Sequence, residues 1–191
     1  MSGDLESGSW AYPIPGSIGS GLSVEQVCIL NSPLHKSRHE AAHAIALLHH
    51  GWDADHVALY HVAGCEECMI DSHCTWKRHD PLTKEERAVV FLAGPEMDRA
   101  AKLSRKEALS RDTNTGSDYR QALDNVPESQ IDNLCNEAEK IIRAHITAIL
   151  AVSERLQLVD RMTDEDIRES AFEADTDLQD LYQQRRRESA G

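Results

Sequence analysis

A chain of 191 residues with 33 acidic against 20 basic side chains carries a formal net charge of -13. That excludes a nucleic-acid surface, which needs a basic patch to neutralise phosphates. With 40% hydrophobic, 28% charged and 5% aromatic residues, the composition is that of a soluble globular domain with a core of Leu, Ile, Val and Ala, as in packed helices. No apolar run approaches the ~20 residues that span a bilayer. No basic flank precedes an apolar stretch at the N-terminus, so no secretory signal is read and the expected address is the cytoplasm. Five cysteines in such a chain read as thiols or metal ligands rather than as a disulfide framework.

In chain order, residues 1–24 are rich in Gly, Ser and Pro and show no period, the composition of a flexible arm. Residues 25–174 are the expected domain, and residues 175–191 a polar C-terminal tail that includes Arg185 to Arg187. The first helix opens at Ser32-Pro33, with Ser as N-cap and Pro in the first turn, and runs from Leu34 to a stop at Gly51. Small and apolar residues cover most of its circumference, which predicts a buried helix. Val57 to Val62 and Cys68 to Trp76 read as two strands of a hairpin about a turn at Gly64. The capping-box pattern Thr83-Lys84-Glu85-Glu86 opens a second helix, expected to stop at Gly94-Pro95. Glu96 to about Leu109 reads as helical, Ser110 to Gly116 as a polar loop, and a further helix begins at Ser117-Asp118. The longest helix is expected from about Ser129 to Leu156 on an apolar stripe including Ile131, Leu134, Ile141, His145 and Val152. Thr163 caps a short closing helix. The fold class predicted is mainly α with one small β-hairpin or sheet.

His39-Glu40-Ala41-Ala42-His43 places an H-E-x-x-H sequence on the first helix. Four residues advance a helix by about 400°, so both imidazoles lie on one face, about 6 Å apart along the axis. Both can then reach one Zn²⁺, His39 and His43 as ligands. Glu40 lies beside such a metal rather than on it, where a carboxylate can take a proton from the zinc-bound water and pass it to a leaving amine. A catalytic zinc needs a third protein ligand. The gluzincin pattern does not fit well, and the glycine of the metzincin H-E-x-x-H-x-x-G-x-x-H pattern is missing.

Thr115-Gly116-Ser117-Asp118, opening the helix Tyr119-Arg120-Gln121-Ala122-Leu123, resembles a stretch of the FtsH-type AAA proteases. The likeness continues in order along residues 28 to 172. Residues His39 to Ile45 resemble the family's zinc helix and Val57 to Val62 the strand after it. Leu92-Ala93-Gly94-Pro95-Glu96-Met97-Asp98 resembles its turn between two helices, and Met162 to Ile167 its closing motif. The resemblance implies an FtsH-like zinc peptidase fold, Asp118 as third zinc ligand, and hydrolysis of a protein or peptide substrate. On residues alone, Asp118 also reads as a helix cap or first-turn carboxylate. The departures are the Ala-Gly-Pro turn and the lack of a P-loop, ATPase module or membrane helix. The expectation is therefore ATP-independent cleavage of unfolded or specific substrates, with any unfoldase a separate partner.

Cys65, Cys68, His73 and Cys74, with His79, form a dense set of soft donors that suggests a second, structural zinc; reduced thiols are the alternative. The rival to a zinc metallopeptidase is a metal-binding but proteolytically inactive domain that binds a partner protein. The oligomeric state is not readable from these residues.

Overall fold

A computed structural model of the chain describes residues 32–61, 70–76, 82–99, 103–110 and 117–189. Helix α1, Pro33–His49, begins where the Ser32 hydroxyl accepts the His35 N–H at 3.2 Å. It runs through the centre of the molecule: Ala41, Ala44, Ile45, Ala46, Leu47 and Leu48 are wholly buried. Gly51 ends it with φ of 82°, a conformation that favours glycine. Strands β1, Ala54–His61, and β2, Ile70–Trp76, pair antiparallel. A third strand, β3, Arg161–Thr163, joins the other side of β1, giving the order β2-β1-β3. The expected hairpin is thus part of a three-stranded sheet. Its extra strand is only three residues long and announces itself only through the burial of Met162.

Helix α2, Lys84–Asp98, carries the expected capping box between Thr83 and Glu86 but does not stop at Gly94-Pro95. A proline removes one helical hydrogen bond and crowds the carbonyl four residues back, a cost of about 3 kcal/mol. Leu92, Ala93, Pro95 and Met97 are all buried, and burial of that many apolar groups, at roughly 1.5–3 kcal/mol for a large side chain, offsets it. The helical stretch expected from Glu96 to Leu109 is divided. Helix α2 ends at Asp98, and the short α3, Arg105–Ser110, starts on its own cap, in which Ser104 and Glu107 bond reciprocally.

Helices α4, Asp118–Asn125, α5, Glu128–Ala144, and α6, Ile146–Val159, follow. The single long helix expected from 129 to 156 is broken at His145, whose ring is buried and bonded to Asp175 Oδ2 at 2.8 Å and His49 Nδ1 at 3.1 Å. Helix α7, Asp164–Ala174, has a capping box from Thr163 and Asp166. The segment expected as a polar tail forms α8, Thr176–Ser189, with Leu178 and Tyr182 buried. The Tyr182 hydroxyl donates to Asp53 at 2.8 Å, and the Arg186 guanidinium lies over the Trp52 ring. A Cβ on Gly51 would sit 2.6 Å from that of Arg185, so the glycine also lets α8 pass close to the end of α1. Among the described residues no helix is long and apolar enough to cross a membrane.

The histidine junction has an acid-stability consequence. Burial, with the fields of His50, His145 and Arg185, pushes His49 down from 6.5 to about 3. The folded state therefore keeps His49 neutral where the unfolded chain would protonate it. This contribution is intact above pH 6.5 and is lost as the pH falls from 6.5 toward 3. Between about pH 7 and about pH 4.5 the melting temperature of the wild type should drop further than that of His49→Gln. Equal drops would show that His49 is not the group responsible.

Candidate metal centre

Helix α1 presents His39 and His43 on one face, and α4 brings Asp118 up to them. His39 Nε2 lies 3.0 Å and His43 Nε2 3.1 Å from Asp118 Oδ2. These three are the one His/Cys/Asp/Glu group among the described residues whose donor atoms all lie within 4.8 Å of one another. Asp118 is not the cap of its helix: that role belongs to Ser117, whose hydroxyl accepts the Arg120 N–H at 3.3 Å. The Asp118 carboxylate is thereby left to face the imidazoles.

Helix α2 supports the pair from below with three residues spaced one turn apart. The Val90 carbonyl accepts from His43 Nδ1 at 2.8 Å, and the Asp98 carboxylate accepts from His39 Nδ1 at 2.9 Å. Between them, a Cβ on Gly94 would come within 2.4 Å of both Nε2 atoms, so the absence of a side chain there leaves room in front of the donor nitrogens. Asp98 also holds His35 Nε2 at 2.7 Å. The sequence reading assigned Gly94 and Asp98 only to a turn and gave His35 no role. The signal was the placement of Val90, Gly94 and Asp98 at successive i, i+4 positions, which makes one stripe of a helix.

The donor set fits a divalent cation. Both Nδ1 atoms point at groups that can only accept, a carbonyl and a carboxylate, so each carries its proton there and turns Nε2 toward Asp118. This is the outer-sphere arrangement that orients metal-binding imidazoles. Burial works against charging His39 and His43, but it is outweighed, by Asp98 and Asp118 at His39 and by Asp118 at His43, with Glu40 adding to each, so both are raised above the usual imidazole range. Burial would likewise push Asp98 and Asp118 up, yet the imidazoles hold both carboxyls well below their usual range. A doubly charged ion in place of the two Nε2 protons would keep the same total charge and every Nδ1 bond.

Glu40 is buried, and its Oε1 accepts from the Ser72 hydroxyl of β2 at 2.7 Å. His39, Glu40, His43, Ser72 and Asp118 all line one open cleft of about 850 Å³. Strand β2, an edge of the sheet, forms one wall.

His49 stands at the third-histidine position of the H-E-x-x-H-x-x-G-x-x-H pattern, with Ala46 in place of the glycine. Without that glycine α1 continues unbroken through Ala46. Six residues past His43 turn the helix by about 600°, off the side that carries His39 and His43, and His49 bonds His145 instead. Of the proposed second zinc set, Cys65, Cys68 and His79 lie outside the described residues. His73 and Cys74 are consecutive on β2 and so face opposite ways. Cys74 packs on the core, where burial, Glu40 and Asp118 raise its thiol well above the usual range; His73 stacks on Tyr60.

The chain matches no model of a known protein family and no curated protein.

Proposed function

We propose that the protein is a zinc-dependent metallopeptidase with an FtsH-like peptidase fold. His39, His43 and Asp118 are the zinc ligands and Glu40 is the general base. The observation that supports this reading best is the convergence of His39 Nε2, His43 Nε2 and Asp118 Oδ2 beside a buried glutamate on the wall of a cleft. Zinc bound there supplies a Lewis acid and a water acidified toward pH 7. The Glu40 carboxylate accepts the proton given up during attack on the peptide carbonyl and returns it to the leaving amine. The Ser72 hydroxyl fixes the orientation of that carboxylate. The extended substrate lies along β2 as an added strand, its backbone bonding the sheet edge and its scissile bond brought to Glu40.

Metal content and cleavage of an unfolded protein substrate, measured on the same samples, test the reading. Asp118→Ala should weaken zinc binding by more than about 100-fold, beyond the effect of outer-sphere changes. Asp132→Ala, on the exposed side of α5, should retain it. Equal zinc in both variants would remove Asp118 from the ligand set.

A further inference from the structure

We propose a second metal site on the outer face of the β1–β2 hairpin, where His56, His73 and Tyr60 bind one divalent first-row transition ion such as Zn²⁺. His56 pairs across the ladder with Thr75, and His73 with Ala58, which makes the two histidines diagonal neighbours on one face. Their Nε2 atoms are 3.0 Å apart, and the Tyr60 hydroxyl is 3.2 Å from His73 Nε2. Two donor atoms of β1 thus lie within 3.2 Å of a third on β2, His73 Nε2, which is the centre of the group. The rings are held by their own contacts. Tyr60 stacks on His73 with centroids 4.9 Å apart, and His56 meets His73 edge-on at 5.1 Å.

The proton positions favour a cation. His56 Nδ1 lies 2.9 Å from Thr75 Oγ1 and 3.3 Å from Asp55 Oδ2. A carboxylate can only accept, so the proton sits on Nδ1 and Nε2 offers its lone pair toward His73. This carboxylate-to-imidazole bond is the device that orients metal-binding histidines. His73 Nε2 lies within hydrogen-bond distance of both His56 Nε2 and the Tyr60 hydroxyl. An ion bound beside His73 Nε2 would have all three as its donors, with small rotations of the His56 and Tyr60 side chains. Imidazole and phenol donors suit Zn²⁺, Co²⁺, Ni²⁺ and Cu²⁺ rather than Ca²⁺ or Mg²⁺. Tyr60 is 43% exposed, so the site opens to solvent. The ion would tie β1 to the edge strand that carries Ser72, and with it the wall of the main cleft.

Isothermal titration of the full chain with Zn²⁺ alone should show two equivalents. His43→Ala should remove one of them, and His56→Ala or His73→Ala the other, each weakening its own equivalent by more than about 100-fold. Co²⁺ at the second equivalent should give no thiolate charge-transfer band. Retention of both equivalents in His56→Ala and His73→Ala would overturn the proposal. So would loss of the second equivalent in Cys65→Ser or Cys68→Ser together with a thiolate band, or a single equivalent lost only with His43→Ala. A single equivalent lost only with His56→Ala would support the hairpin site and sink the zinc centre of α1 instead. Circular dichroism of each variant separates a lost ligand from a lost fold.

Discussion

Glu40→Gln is expected to abolish peptide hydrolysis while leaving zinc bound at the wild-type stoichiometry. Glutamine preserves the shape of the side chain and an Oε1 that can accept from Ser72, so packing and cleft should persist. What it loses is the capacity to take up and return a proton. Positioned acid–base groups contribute about 10²- to 10⁴-fold to rate, and no other carboxylate among the described residues stands in the same place: Asp98 and Asp118 are committed to the imidazoles. Cleavage of a quenched unfolded substrate, read beside zinc content, distinguishes the outcomes. Unchanged cleavage would sink the enzyme reading. Zinc bound at full occupancy by a wild type with no hydrolysis of any peptide would favour the partner-binding alternative.

Gly94→Ala should empty the metal centre without unfolding the protein. In a helix, alanine is favoured over glycine by about 1 kcal/mol, so propensity alone predicts a more stable α2. The added Cβ, however, would lie 2.4 Å from His39 Nε2 and from His43 Nε2, a separation no real carbon tolerates. The rings must swing away, and with them the two donor atoms, because their Nδ1 bonds to Asp98 and Val90 are on the same helix as the new methyl. Zinc affinity should fall by about 100-fold or more, with the far-ultraviolet circular dichroism preserved. Full zinc occupancy in Gly94→Ala would mean that the site does not sit over Gly94.

Much of this architecture was legible because it is local. The caps of α1, α2 and α7 and the i, i+4 histidines depend on residues within a turn of each other, and the structure has them where the sequence implies. The errors are non-local. The break at His145 is invisible in the apolar stripe, because its cause is a pair of bonds to Asp175 and His49 from other elements. Helix α8 reads as polar tail because only Leu178 and Tyr182 on it are buried, and two of the contacts that dock it, Tyr182 to Asp53 and Arg186 to Trp52, reach over a hundred residues back along the chain. Helix α2 passes through Pro95 because packing outweighs a local penalty. In the His39–His43–Asp118 cluster the two histidines are read from spacing, and Asp118 from its resemblance to a family motif. The roles of Gly94, Asp98 and Ser72 become visible only once α2 and β2 lie against α1.

The helix that carries His39, Glu40 and His43 is also the keel of the molecule, with Ala41, Ala44 and Ala46 wholly enclosed. Functional residues are disproportionately found on loops, where they can be altered without disturbing the scaffold; here the site residues and the scaffold cannot be separated. Substitutions along the buried side of α1 will sort by yield of folded protein. Loss of the His39–His43–Asp118 arrangement on heating should track the global melt, with no milder stage in which the site fails first. For such a protein, any redesign of the His39–Glu40–His43 face is also a redesign of the scaffold, and the two have to be one undertaking.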